Sequence, residues 1–75
     1  MTLDQLSAND RGTVTEIRAS GPIRQRLMDM GLLPAAEITV ERFAPTGEPV
    51  WIRVCGGQVA LRRSEARTVI VEVRA

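Results

Sequence analysis

Apolar residues recur along this chain in two rhythms. From Glu37 onward they alternate with polar ones: Ile38 and Val40, then Val50, Ile52 and Val54, then Val59 and Leu61, then Val69, Val71 and Val73. A period of two in β-branched residues predicts four strands, each turning one face to a core. A fifth is expected earlier, in "TVTEIR" (residues 13–18), where Val14 and Ile17 stand three apart and imply a bulge. "APTGEP" (residues 44–49) reads as a loop, and Gly56 with Gly57 as the two-residue turn of a hairpin.

The other rhythm belongs to "GPIRQRLMDMGLLP" (residues 21–34). Ile23, Leu27 and Met30 fall at i, i+4 and i+7, which lines one face of a helix over about residues 22–31. Pro22 suits its first position, after Ser20 or Gly21 as cap. Gly31 can take the left-handed conformation that ends it, so that Leu32 folds back on Leu27 in a Schellman closure. Leu33 is left without a local role. A short helical turn near residues 64–67 is expected to be capped by Ser64, with Glu65 favourably placed for the dipole. At the start, Thr2 can cap a turn that lays Leu3 and Leu6 over the core as a lid. Five short strands with one inserted helix make a mainly β fold, a small SH3-like barrel, and residues 1–75 form one domain.

Composition narrows the function. Hydrophobic residues are 44% of the 75 and charged residues 25%, which is globular rather than disordered. Ten basic against nine acidic residues leave a net charge of +1, too little to draw the chain to nucleic acid or an anionic membrane. Every basic residue is arginine; acids interspersed among them favour compositional bias over a phosphate-binding surface. With two aromatics, Phe43 and Trp51, stacking platforms for single-stranded nucleic acid are missing. Trp51 is expected to form a wall against the inserted helix. No run of about 18 apolar residues exists to span a bilayer, and the acids and short apolar runs of "MTLDQLSAND" give no expectation of a signal peptide. One cysteine excludes an internal disulfide and points to a reducing, cytoplasmic setting.

Catalytic chemistry finds little footing. There is no His or Tyr, so Cys55 lacks a histidine base and is read as a half-buried strand residue. No metal site is assigned, since zinc would need His or more Cys, and Glu37, Glu41 and Glu48 read as solvated charges. No phosphate loop is present, and no cofactor is implied.

The helix itself is charged against its own dipole, with Arg24 and Arg26 near its start and Asp29 near its end. Two explanations stand side by side: Arg26 and Asp29 pair at i, i+3, or the helix is shaped for a partner, with Arg24, Arg26, Met28 and Leu33 as its contacts. Self-association through an edge strand such as residues 69–73 is a further open possibility.

Taken with "RGTVTEI", three runs, "RLMDMGLLP", "APTGEPVWIRVCGGQVALRRSEA" and "VIVEV", give the chain a close resemblance to the FeoA family, the small soluble component of bacterial ferrous iron uptake. Two positions depart from its pattern: Ala35 follows Pro34 where glycine is usual, and Glu48 replaces an aspartate. The resemblance implies an SH3-like fold, no enzymatic activity, and a partner in the cytosolic region of the membrane transporter FeoB. It leaves two alternatives: an activator of the FeoB GTP-binding domain through an arginine finger at Arg24 or Arg26, and a regulatory module like the C-terminal domain of metal-dependent repressors.

Overall fold

The computed structural model describes residues 1–74. A 3-10 turn, Leu3–Gln5, leads into β1 (Arg11–Ile17), helix α1 (Gly21–Asp29), β2 (Glu37–Phe43), β3 (Val50–Val54), β4 (Gly57–Leu61), the short helix α2 (Arg63–Ala66) and β5 (Val69–Arg74). The strands form one antiparallel sheet in the order β4-β3-β2-β1-β5. The architecture is mainly β and SH3-like, as the alternation predicts. The ladder does not close into a full barrel, because β4 and β5 end the sheet on opposite sides without pairing to each other.

Two bulges bend the sheet around its core. In β1 the register against β5 slips at Thr15, between Val14↔Val71 and Glu16↔Ile70. The extra residue lets both Val14 and Ile17 face inward, and both are buried. The same device recurs in β2, where the register against β3 slips at Glu41. It turns Phe43 toward the core behind Val40. The sheet's inner face is then Val14, Ile17, Ile38, Val40, Val50, Ile52, Val54, Leu61, Val69 and Val71, all buried.

The remaining core residues come from outside the sheet. Leu3 and Leu6 are buried as the expected lid, and Gln5 closes the turn by accepting the Thr2 N–H on its side-chain oxygen at 2.8 Å. Leu27, Leu32 and Ala66 complete the cluster with no exposure. Gly12 marks where β1 and β5 pack too closely for a side chain: a Cβ there would lie 3.1 Å from the Glu72 carbonyl oxygen.

Candidate functional site

The helix and the corner that follows it are built by local rules. Ser20 is extended ahead of α1, and Pro22 occupies its first turn. At the other end the Gly31 N–H donates to the Met28 carbonyl at 3.0 Å and the Leu32 N–H to the Leu27 carbonyl at 3.1 Å. These two bonds make the full Schellman closure, with Gly31 at φ +98°. Leu27 and Leu32 are thereby buried together. Glycine is required at 31 for a second reason, since a Cβ would come within 3.2 Å of the Cys55 sulfur.

Leu33 does have a local role, which its apolar character conceals. The Ala36 N–H donates to the Leu33 carbonyl at 2.9 Å, Pro34 follows Leu33, and Ala35 has φ +76°. That is a type II turn with Leu33 at its first position, and its third position favours glycine. The Ala35 N–H donates to the Val14 carbonyl at 2.7 Å, and the Val14 N–H to the Ala36 carbonyl at 2.8 Å. The corner is thus pinned to β1, and it holds the Leu33 side chain 44% exposed.

Helix α1 buries less than its spacing predicts. Ile23, placed on the apolar face by the i, i+4, i+7 count, is 51% exposed. Only Leu27 is fully buried, and Met30 packs partly against the core. The reason lies at the C-terminal end, where the Schellman closure draws Leu27, Met30 and Leu32 inward, while the first turn carries Ile23 outside.

The arginines are engaged within the fold. The Arg24 Nη1 donates to the Ile17 carbonyl at 2.8 Å, tying α1 to the end of β1. Arg26 forms an ion pair with Glu65, whose side chain is only 7% exposed against 53% for the arginine. The other Glu65 oxygen accepts the Arg62 N–H at 2.8 Å. One carboxylate therefore caps α2 and anchors α1. Asp29 accepts from the Gln25 side-chain amide at 2.8 Å, so the Arg26–Asp29 pairing considered from sequence is not formed. Arginines placed against the helix dipole are compensated by acceptors elsewhere in the chain. Nothing in the sequence points to Glu65 as Arg26's partner, because the two are 39 residues apart.

Other expectations change for similar reasons. Ser64 lies inside α2 instead of capping it; the Arg63 N–H is satisfied from a distance by the Glu48 carboxylate at 2.7 Å. Glu37 pairs with Arg74 at 2.7 Å and Glu41 with Arg53 at 3.0 Å, so none of these three carboxylates is simply solvated. The hairpin turn is Cys55–Gly56, one residue earlier than the glycine pair suggests, with φ of +52° and +76° and Val54 opposite Gly57. Both positive angles identify a type I′ turn. Cys55 is consequently exposed at its tip, not half-buried in a strand. Trp51 is half-buried under Arg42, whose guanidinium carbon sits 5.3 Å from the ring centroid.

Of the four residues expected at a partner surface, Arg24 and Arg26 are bonded internally, Met28 is half-buried and Leu33 is exposed. Ile23 joins them as an exposed apolar residue that sequence periodicity assigns to the core. The hydrogen bond from Gln58, then Arg53 and Arg42, hold the Glu41 carboxyl below the usual glutamate range despite partial desolvation. Among the described residues, no group of three or more His, Cys, Asp or Glu could hold a metal ion. No helix among them is long and apolar enough to cross a membrane.

Comparison with known proteins gives a family. The model of the FeoA domain matches residues 1–73. The chain is 33% identical over 73 residues to the Fe(2+) transport protein A/Fe(2+) transporter FeoB fusion protein of Porphyromonas gingivalis, a match covering 97% of this chain and only 9% of the fusion. The solution structure of the FeoA protein from Chlorobium tepidum is 41% identical, with a TM-score of 0.93 over 100% of this chain and 71% of that one. The zinc-complexed FeoA of Stenotrophomonas maltophilia, described as an SH3 domain protein, is 32% identical, with a TM-score of 0.84 over 96% of this chain and 89% of that one. A manganese-dependent transcriptional repressor shares the fold alone, at 18% identity and a TM-score of 0.88 over 97% of this chain and 40% of the repressor.

Proposed function

Since the chain belongs to the FeoA domain family, we propose that it is a non-enzymatic accessory protein of ferrous iron uptake that binds the cytosolic region of a FeoB transporter and regulates it from the cytoplasm. The observation that carries this reading is the Porphyromonas gingivalis fusion, in which a segment like this chain and a FeoB transporter are parts of one polypeptide. A shared polypeptide raises the effective concentration of one part for the other, which is useful where the two must meet.

The docking surface in this reading is α1 with the corner at Leu33. Leu33 and Ile23 supply exposed apolar contact, Met28 lies between them in sequence, and Arg24 and Arg26 border it with their remaining donors. An arginine finger is less well served. Arg24 is already bonded to a backbone carbonyl and Arg26 to Glu65, and either would have to leave its partner to enter a nucleotide site.

The test is a calorimetric titration of this protein into the purified cytosolic region of FeoB from the same organism, with GDP and with a non-hydrolysable GTP analogue. Saturable binding that changes with the nucleotide, and that is lost in Leu33→Asp or Ile23→Asp while both variants stay folded, is the expected result. Binding that both variants retain would remove α1 as the surface. No binding in any nucleotide state would remove the cytosolic region as the partner.

A further inference from the structure

Two of the four large apolar side chains that stand exposed among the described residues, Met1 at 58% and Val73 at 44%, lie along the outer edge of β5. Along that edge the Val71 N–H points away from β1 and donates to the Met1 carbonyl at 2.8 Å. The register against β1 runs without a break through Val14↔Val71, Thr13↔Glu72 and Gly12↔Val73. Val73, two residues past Val71, therefore also turns its N–H and carbonyl outward. No segment among the described residues pairs with them.

We propose that β5 is a dimerisation edge, on which a second copy of this chain pairs antiparallel about a two-fold axis at Val73. Placing residue 73 on the axis sets residue 72 of each copy opposite residue 74 of the other. Glu72 then faces Arg74 twice, once on each side of the axis. The edge is self-complementary in charge as well as in hydrogen bonding.

The surroundings of both residues favour this occupant. Within one copy Arg74 stands across from Arg11 on the β1 side, a like-charge neighbour, and its counter-charge is Glu37 at 2.7 Å. A Glu72 from the second copy supplies another. Glu72 has no ion-pair partner of its own among the described residues. The opposite edge of the sheet lacks this property: self-pairing of β4 about Val59 would set Gln58 against Ala60, with no charge to fix the register. Because Met1 already occupies the edge at Val71, the shared ladder is short, and the dimer is weak, concentration-dependent and sensitive to salt.

The test is sedimentation equilibrium of the full chain across a concentration series, with charge-reversed variants. The native chain is expected to show a monomer–dimer equilibrium. Glu72→Arg, which leaves every ion pair among the described residues intact, should weaken it at least about tenfold by setting like charges opposite each other at both symmetry-related positions. Arg74→Glu should do the same, and Glu72→Arg combined with Arg74→Glu should restore association to within a few-fold of the native value. A chain that remains monomeric up to about 1 mM overturns the proposal. So does a dimer that Glu72→Arg leaves intact, or one that the double reversal fails to restore.

Discussion

The pairing of Arg26 with Glu65 can be measured as a coupling free energy, separately from any role of the helix in binding. Arg26→Ala leaves one oxygen of a nearly buried carboxylate without its counter-ion, and Glu65→Gln leaves the arginine opposite a neutral amide. Breaking a fully buried ion pair costs about 3 to 5 kcal/mol, whereas an exposed pair is worth about 0.2 to 1 kcal/mol. With the carboxylate 7% and the arginine 53% exposed, the pair lies between these limits, and each single substitution should lower stability by about 2 kcal/mol. In a domain of this size that is a fall in Tm of about 8 to 16 °C.

The double substitution should cost less than the sum of the singles, with a coupling of about 1.5 kcal/mol. Urea unfolding of the four proteins, followed by far-UV circular dichroism and Trp51 fluorescence, supplies the cycle. Arg62 matters as an internal control. Its N–H can still be accepted by the amide oxygen of Glu65→Gln but by nothing in Glu65→Ala, so the alanine variant should be the less stable of the two by about 1 kcal/mol. Singles that add to within about 0.3 kcal/mol would refute the reasoning, because residues joined by an ion pair do not add.

Three other outcomes follow from the same geometry. Ala35→Gly should stabilise the chain by about 0.5 to 1 kcal/mol in thermal unfolding, since φ +76° strains an alanine by more than the flexibility that glycine adds to the unfolded chain. Cys55→Asn, at a type I′ position with φ +52°, should likewise stabilise by a few tenths of a kcal/mol, and the native thiol should react with a labelling reagent at the rate of an exposed cysteine. Glu41 should titrate by NMR below the usual glutamate value, and Gln58→Ala should move it upward. Because its folded-state pKa is lowered, Glu41's contribution to stability is present above the unfolded value and is lost as pH falls through the folded one.

Most of the fold was legible because its signals are local. Alternation located four strands, and the three-residue interval from Val14 to Ile17 announced a bulge that the register against β5 contains. Gly31, Leu27 and Leu32 specify the end of α1 through bonds local to the chain. The hairpin shows where local reading stops. A turn at Gly56–Gly57 would set Val54 against Val59 and Ile52 against Leu61, and the turn at Cys55–Gly56 sets Ile52 against Val59, so either register opposes apolar residues near the turn. Only the second pairs Val50 with Leu61, where the first would set Val50 against Arg63. That preference is felt at the far end of the ladder, five residues from the turn, and it outweighs the ease of placing glycine in both turn positions.

The candidate site was less legible because its two most conspicuous residues are conspicuous for a reason internal to the fold. A helix charged against its dipole suggests a surface kept for a partner, but Arg24 and Arg26 are answered by the Ile17 carbonyl and by Glu65. Sequence gives no means of seeing a counter-ion 39 residues away. What remains exposed on α1 and its corner is apolar: Ile23, which the helical period assigned to the core, and Leu33, which the type II turn holds outward. An isolated exposed leucine is ordinary. Two apolar residues flanking a helix whose arginines are committed elsewhere shift the weight of recognition from charge to apolar burial. Complex formation through α1 should therefore respond sharply to Ile23→Asp and Leu33→Asp and only weakly to ionic strength, whereas binding led by Arg24 and Arg26 would fall steeply as salt screens them.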